Sequence, residues 1–208
     1  DYFKLNKNQM YRWGLPRNIE LETYNPEKRE ATLKDLNLEN LIDKKIILFA
    51  PTWKDHEYEL LDLEYIANNL SDDTVLVVKS HPLEKLSFNH KKILDVSHIS
   101  NVPNLLKVTD VLISDYSSIM IDYSFLNRPI VSYAPDFEVY EKLRGLYVTK
   151  DELAPNVLNT SDEVLSFINS YDLENESMKT QHYNRLFFNV SSINSVDKIL
   201  DAIKKEVS

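Results

Sequence analysis

A chain of 208 residues is long enough for one α/β domain with a sizeable core. Its formal net charge of -9, with no basic tract, argues against nucleic acid as a partner, although net charge says little about a single cleft. The absence of cysteine excludes disulfides and cysteine-ligated metals, and two glycines, Gly14 and Gly145, are too few for either glycine-rich phosphate loop.

The sequence opens on Asp1 rather than Met, as expected of a piece of a longer protein. No signal peptide is visible, and the longest apolar runs are too short to cross a bilayer. Residues 1–25 are polar and aromatic, with a turn signal at Gly14-Leu15-Pro16-Arg17. Residues 26–41 interleave charges with leucines and predict a helix begun at the Asn25-Pro26 cap. Residues 46–50 form a short continuous apolar run stopped by Pro51, the pattern of a strand covered on both faces. A helix over 60–70, a strand over 74–78, a strand within 93–100 and a short helix over 102–108 follow. Then come a strand at 111–113, a helix over 117–126 and a strand at 130–133. Beyond that the periodicity is helical, over 137–143, 161–170, 174–187 and 195–207. Strands alternating with helices predict an α/β fold, a Rossmann-like parallel sheet carrying C-terminal helices. No internal repeat or linker divides residues 1–208, so a single domain is expected, its helical C-terminal segment running from about residue 160.

Ligands of open parallel sheets bind beyond the carboxyl ends of the strands, so the polar residues after each apolar run matter most. The first exit, Pro51-Thr52-Trp53-Lys54-Asp55, sets an aromatic ring beside a hydroxyl and a lysine, suited to flank a base or a phosphate. Its plain alternative is a loop whose Trp53 packs on the core edge. The second exit, Lys79-Ser80-His81-Pro82, presents a histidine, the side chain most readily used as acid or base near neutral pH, on a turn pinned by Pro82. A purely structural histidine is the competing reading. The third, Ser114-Asp115-Tyr116-Ser117-Ser118, leads straight into a helix containing Asp122. Free backbone N–H groups, the helix dipole and serine hydroxyls all favour an anion there. Ser117 acting only as a helix cap is the alternative.

Arg17 and Arg128, each beside a proline, read equally as phosphate contacts or surface charges. Asp136, Glu138, Glu141 and Arg144 surround a predicted helix start and are read as largely solvated. His56, His90, His98 and His182 lack metal-ligand spacing, and no metal site is expected. The absence of a Gly-x-Ser-x-Gly elbow argues against a serine hydrolase.

Gly14-Leu15-Pro16-Arg17-Asn18, Phe49-Ala50-Pro51-Thr52-Trp53-Lys54-Asp55, Lys79-Ser80-His81-Pro82 and Ser114-Asp115-Tyr116-Ser117-Ser118 occur in this order. Asp122-Tyr123, Asn127-Arg128-Pro129-Ile130, Tyr133-Ala134-Pro135-Asp136, Tyr140-Glu141 and Arg144-Gly145 complete the series. Each piece is short; the ordered set resembles the C-terminal domain of the CDP-glycerol glycerophosphotransferase family, which builds wall teichoic acids and related capsule polymers. The resemblance covers roughly residues 10–165.

That resemblance implies half of a glycosyltransferase-B-type architecture, with this chain as the donor-nucleotide domain of a transferase that releases CMP. His81 would lie at the donor diphosphate as the catalytic residue, neutralising charge on the leaving CMP. Ser117 and Ser118 would hold the phosphates, Asp115 would line the same pocket, and Pro51, Thr52 and Trp53 would lie near the cytidine. Arg17, Lys79 and Arg144 would be charge partners. No cofactor is implied beyond the substrate, CDP-glycerol or a related CDP-alcohol. A lipid-linked polymer acceptor would be held by an N-terminal domain with a His-Gly-Thr-Pro motif, which lies outside this sequence, so this stretch is not expected to turn over alone. The parent would work peripherally at the cytoplasmic face of a bacterial membrane. Where the family commonly has a Pro-Gly-Pro turn, this chain reads Ala154-Pro155-Asn156, which leaves the donor alcohol open. The alternatives are CDP-ribitol as donor, a UDP-sugar glycosyltransferase or epimerase of the same architecture, and a non-catalytic binding module.

Overall fold

In a computed structural model, residues 4–6, 10–54, 58–81 and 86–207 are described. Six strands form one sheet: β1 (Lys45–Phe49), β2 (Thr74–Val78), β3 (Ile93–Asp95), β4 (Val111–Ser114), β5 (Ile130–Tyr133) and β6 (Val157–Leu158). Every pairing is parallel, in the order β3-β2-β1-β4-β5-β6. The helices are α1 (Ile19–Glu22), α2 (Arg29–Asp35), α3 (Leu63–Asn68), α4 (Val102–Val108), α5 (Ile119–Tyr123) and α6 (Phe137–Arg144). They continue with α7 (Lys150–Leu153), α8 (Ser161–Ser170), α9 (Leu173–Phe187) and α10 (Ser195–Val207). None is long and apolar enough to cross a membrane among the described residues.

The continuous apolar runs are explained by a sheet covered on both faces, since successive side chains point to opposite sides. Ile46, Leu48, Val75, Val77, Leu112 and Ile130 enter one core with Leu33, Leu105, Met120, Tyr123 and Tyr183 from α2, α4, α5 and α9. Ile47, Phe49, Leu76, Val78, Ile113 and Val131 enter the other, under Leu63 and Ile66 of α3 and Val164 and Ile168 of α8. Burying one such side chain contributes about 1.5–3 kcal/mol.

Several expected elements differ in extent. The helix expected over 26–41 begins as predicted, with the Asn25 side chain accepting the Glu27 N–H, but it does not run through. A 3-10 turn leads into α2, and Asn37 then adopts φ 56° while the Leu38 N–H closes back onto the Leu33 carbonyl. Asparagine tolerates the left-handed region that ends a helix. The third strand is confined to Ile93–Asp95, and the helix expected over 117–126 is α5 followed by a 3-10 turn. Helix α7 and the edge strand β6 have no counterpart in the periodicity. A two-residue strand is too short to show alternation, and pairing with Ser132 and Tyr133 is what defines it.

The N-terminal segment is tied down at Gly14. Its backbone has φ 80°, and a Cβ there would stand 2.7 Å from the Ser192 backbone. The next amide, Leu15 N–H, donates to the Ser192 hydroxyl, and the Ser192 N–H donates to Glu22.

Candidate functional site

Strand β1 pairs with β2 on one side and β4 on the other, so the chain reverses direction across the sheet between them. The carboxyl ends of the strands at such a switch point are the usual ligand position in open parallel sheets. The three polar exits singled out in the sequence follow β1, β2 and β4 and therefore converge on this edge.

The loops leaving this edge are stitched together by short polar contacts. Ala50 N–H donates to the Ile113 carbonyl at 2.9 Å, and the Ser114 hydroxyl donates to the Ala50 carbonyl at 2.6 Å. The Ser132 hydroxyl on β5 donates to the Asp115 carbonyl at 2.7 Å. Asp115 is buried, and its carboxylate accepts the N–H of Thr52 at 2.9 Å and of Tyr116 at 2.7 Å. Burial raises its pKa above the ordinary aspartate value, against the pull of Lys54 and these donors.

The sequence-derived residues are placed as follows. Pro51 is buried and Thr52 half-buried, whereas Trp53 is 37% exposed. His81 is exposed at the β2 exit, its ring centroid 6.4 Å from that of Trp53. The structure thus brings these two rings together from different strands. Pro82, the presumed pin of this turn in sequence terms, lies outside the described residues, as do Asp55 and His56. Ser117 is half-buried and Ser118 exposed. Ser118, not Ser117, occupies the cap position of α5 and makes no side-chain cap bond; the Ser117 hydroxyl accepts the Ile119 N–H at 3.3 Å. An apolar cleft of 240 Å³ adjoins both serines, walled by Met120, Ile121, Leu146 and Phe187.

The expected charge partners diverge. Arg17 pairs with Asp122 of α5 at 3.2 Å and stays largely exposed. Lys79 donates to the Ile99 carbonyl at 2.7 Å, and burial lowers its pKa. Arg144 is exposed at the end of α6. Arg128 is neither a surface charge nor at this edge: it donates to the Lys107 carbonyl at 2.7 Å, ahead of β5.

Burial decides the placement of two charged residues. The Lys54 side chain is only 2% exposed, and its ammonium lies 3.0 Å from Asp136 and 3.6 Å from Asp115. Asp136, one of four residues read from sequence as largely solvated, has a side chain only 8% exposed. It also accepts the Tyr116 hydroxyl at 2.8 Å, and the Tyr116 ring stacks on Tyr140 at 3.8 Å. Burial, and then this bond to Asp136, push the Tyr116 phenol up. A tryptophan-flanked lysine carried no sequence signal of burial, because its partners come from β4 and β5.

A family model described as CDP-Glycerol:Poly(glycerophosphate) glycerophosphotransferase matches residues 1–205. The chain belongs to this family. Among curated members, a teichoic acid poly(glycerol phosphate) polymerase of Bacillus spizizenii is 35% identical over 74% of this chain and 43% of its own length. A teichoic acid glycerol-phosphate primase of Bacillus subtilis is 30% identical over 99% of this chain and 54% of its own. The chain therefore spans about half or less of the family members it matches. The solved wall teichoic acid polymerase TagF superposes with a TM-score of 0.81 at 30% identity, over 99% of this chain and 54% of that one. A variant of that polymerase was solved after a soak with CDPG. The Anabaena protein HepE, solved with UDP-glucose, shares the family's fold at a TM-score of 0.55 and 10% identity.

Proposed function

We propose that residues 1–208 form a single donor-binding domain of a glycerophosphotransferase that moves glycerol phosphate from CDP-glycerol to a teichoic-acid or capsule acceptor. The observation that carries this reading is the convergence of Trp53, His81, Ser117 and Ser118 on the switch-point edge of the sheet. Membership of the family and the CDPG soak of a relative support the ligand class.

In this reading the cytidine lies near Pro51, Thr52 and Trp53, and the serine turn holds the diphosphate. An acceptor hydroxyl attacks the phosphorus bearing glycerol, forming one P–O bond as the bond to CMP breaks. Its proton passes to a base supplied by the rest of the parent. His81 neutralises charge developing on the CMP phosphate. Positioning and charge stabilisation are the main demands of such a step. The acceptor would be lipid-linked and the parent peripheral at the cytoplasmic membrane face, with the N-terminal half of the parent holding that acceptor.

CDP-ribitol is the second reading, favoured by ribitol-phosphate polymerases among the relatives at 30% and 29% identity. Calorimetry with CDP-glycerol, CDP-ribitol, CMP and a UDP-sugar tests both, on wild type, His81→Ala and Ser117→Ala. Cytidine-selective binding weakened by both substitutions supports the donor-domain reading, and the stronger CDP-alcohol names the donor. Preference for the UDP-sugar refutes it. If the isolated chain binds none of them, the full-length parent is titrated, and failure there sinks the reading.

A further inference from the structure

The carboxyl edge of the sheet holds a buried cation that the donor reading does not use. Lys54 lies between the Asp115 and Asp136 carboxylates, with its ammonium 4.1 Å from the Tyr58 ring centroid and 4.8 Å from that of Tyr116. It follows β1, while its partners follow β4 and β5, so one side chain ties together three exits from the sheet.

Stability alone is a poor reason for this arrangement. Ions lose their hydration on burial, and an apolar cluster of the same volume is often as stable or more so. Ion pairs and hydrogen bonds supply direction instead. Lys54 fixes Asp136, Asp136 receives the Tyr116 hydroxyl, and Tyr116 stacks on Tyr140 at an interplanar angle of 11°. Asp115, also facing Lys54, receives the amides of Thr52 and Tyr116. Tyr116 immediately precedes Ser117 and Ser118, so both arms of the network end on the turn that presents those hydroxyls. The ammonium also offsets one of two carboxylates that would otherwise repel a diphosphate.

We propose that Lys54 is a positioning residue for the donor: through Asp136, Tyr116 and Asp115 it sets the Ser117-Ser118 turn without touching the donor itself. The proposal rests on the donor-domain reading. Its test uses the full-length parent, with initial rates measured separately against CDP-alcohol and acceptor, and circular dichroism to verify folding. In Lys54→Met the KM for the CDP-alcohol rises roughly 10- to 100-fold, the scale of a small misplacement at a reacting centre, while the KM for the acceptor stays put. Lys54→Arg recovers most of the loss, since a guanidinium can meet both carboxylates.

A folded Lys54→Met protein with the wild-type donor KM overturns the proposal, and so does a failure of Lys54→Arg to improve on it. If Lys54→Met does not fold, Asp136→Asn is measured instead, because it keeps the shape and an acceptor for Tyr116 but removes the charge. An unchanged donor KM in that variant likewise overturns the proposal. A wild-type parent that turns over no CDP-alcohol brings down the donor-domain reading, and this inference with it.

Discussion

The backbone amide of Thr52 donates to both carboxylate oxygens of Asp115, at 2.9 and 3.0 Å. That contact clasps the loop after β1 to the loop after β4 at the point where the strand order reverses. Asp115→Ala leaves the Thr52 and Tyr116 amides without this acceptor and removes one carboxylate from Lys54. Breaking a buried pair from one side costs about 3–5 kcal/mol. Urea unfolding followed by circular dichroism should show a loss of that order, with Asp115→Asn losing less because its amide oxygen still accepts.

Gly14→Ala should destabilise the domain by about 1–3 kcal/mol, the range for a strained backbone or an overpacked contact. The added methyl meets both the Cα and the hydroxyl of Ser192 at 2.7 Å, on a residue with φ 80°. Ser192→Ala should therefore not rescue it, since the Cα clash and the backbone strain remain. Thermal melts of the single and double variants check this.

Two arginine–aspartate pairs should behave differently. Arg17 side chain is 59% exposed and touches Asp122 alone among the contacts described, so Arg17→Gln should change stability by less than ~1 kcal/mol. Arg29 side chain is 23% exposed; it pairs with Asp110 and also donates to the Val108 and Lys44 carbonyls. Arg29→Met should cost about 1.5–3 kcal/mol, the scale of hydrogen bonds to a charged group. Chemical denaturation at low and high salt separates the two, because only the exposed pair is strongly screened.

Alkaline pH should unfold the domain through its tyrosines. Burial raises the phenols of Tyr123 and Tyr183, and pushes Tyr133 up to about 12. An unfolded tyrosine loses its proton near pH ~10, so above that pH the unfolded chain binds fewer protons than the native one. Stability is then fully present below about pH 10 and falls as pH rises toward the folded values. Absorbance of phenolate and circular dichroism, followed together from pH 8 to 12, should change in step. Ionisation of the buried set without loss of structure would contradict the burial argument.

The strand runs were legible because a sheet covered on both faces demands unbroken apolar residues, as in Ile46-Ile47-Leu48-Phe49 and Thr74-Val75-Leu76-Val77-Val78. The exits were legible because polar groups cannot continue a buried strand, so His81 and Ser117 stood out against what precedes them. Helix extents were less so: nothing in the pattern of residues 26–41 marked Asn37 as the left-handed stop.

The sequence by itself determined the class of fold, the positions of its main strands along the chain and the family series, because hydrophobic period and local polar breaks are properties of neighbouring residues. Which exits meet, and which charges are hidden, only the tertiary structure decided. Lys54 stands 61 positions before Asp115 and 82 before Asp136 in the chain, yet all three share one buried site. Charged groups are expected at the surface by default, and only partners brought from other strands make the burial of this one tolerable.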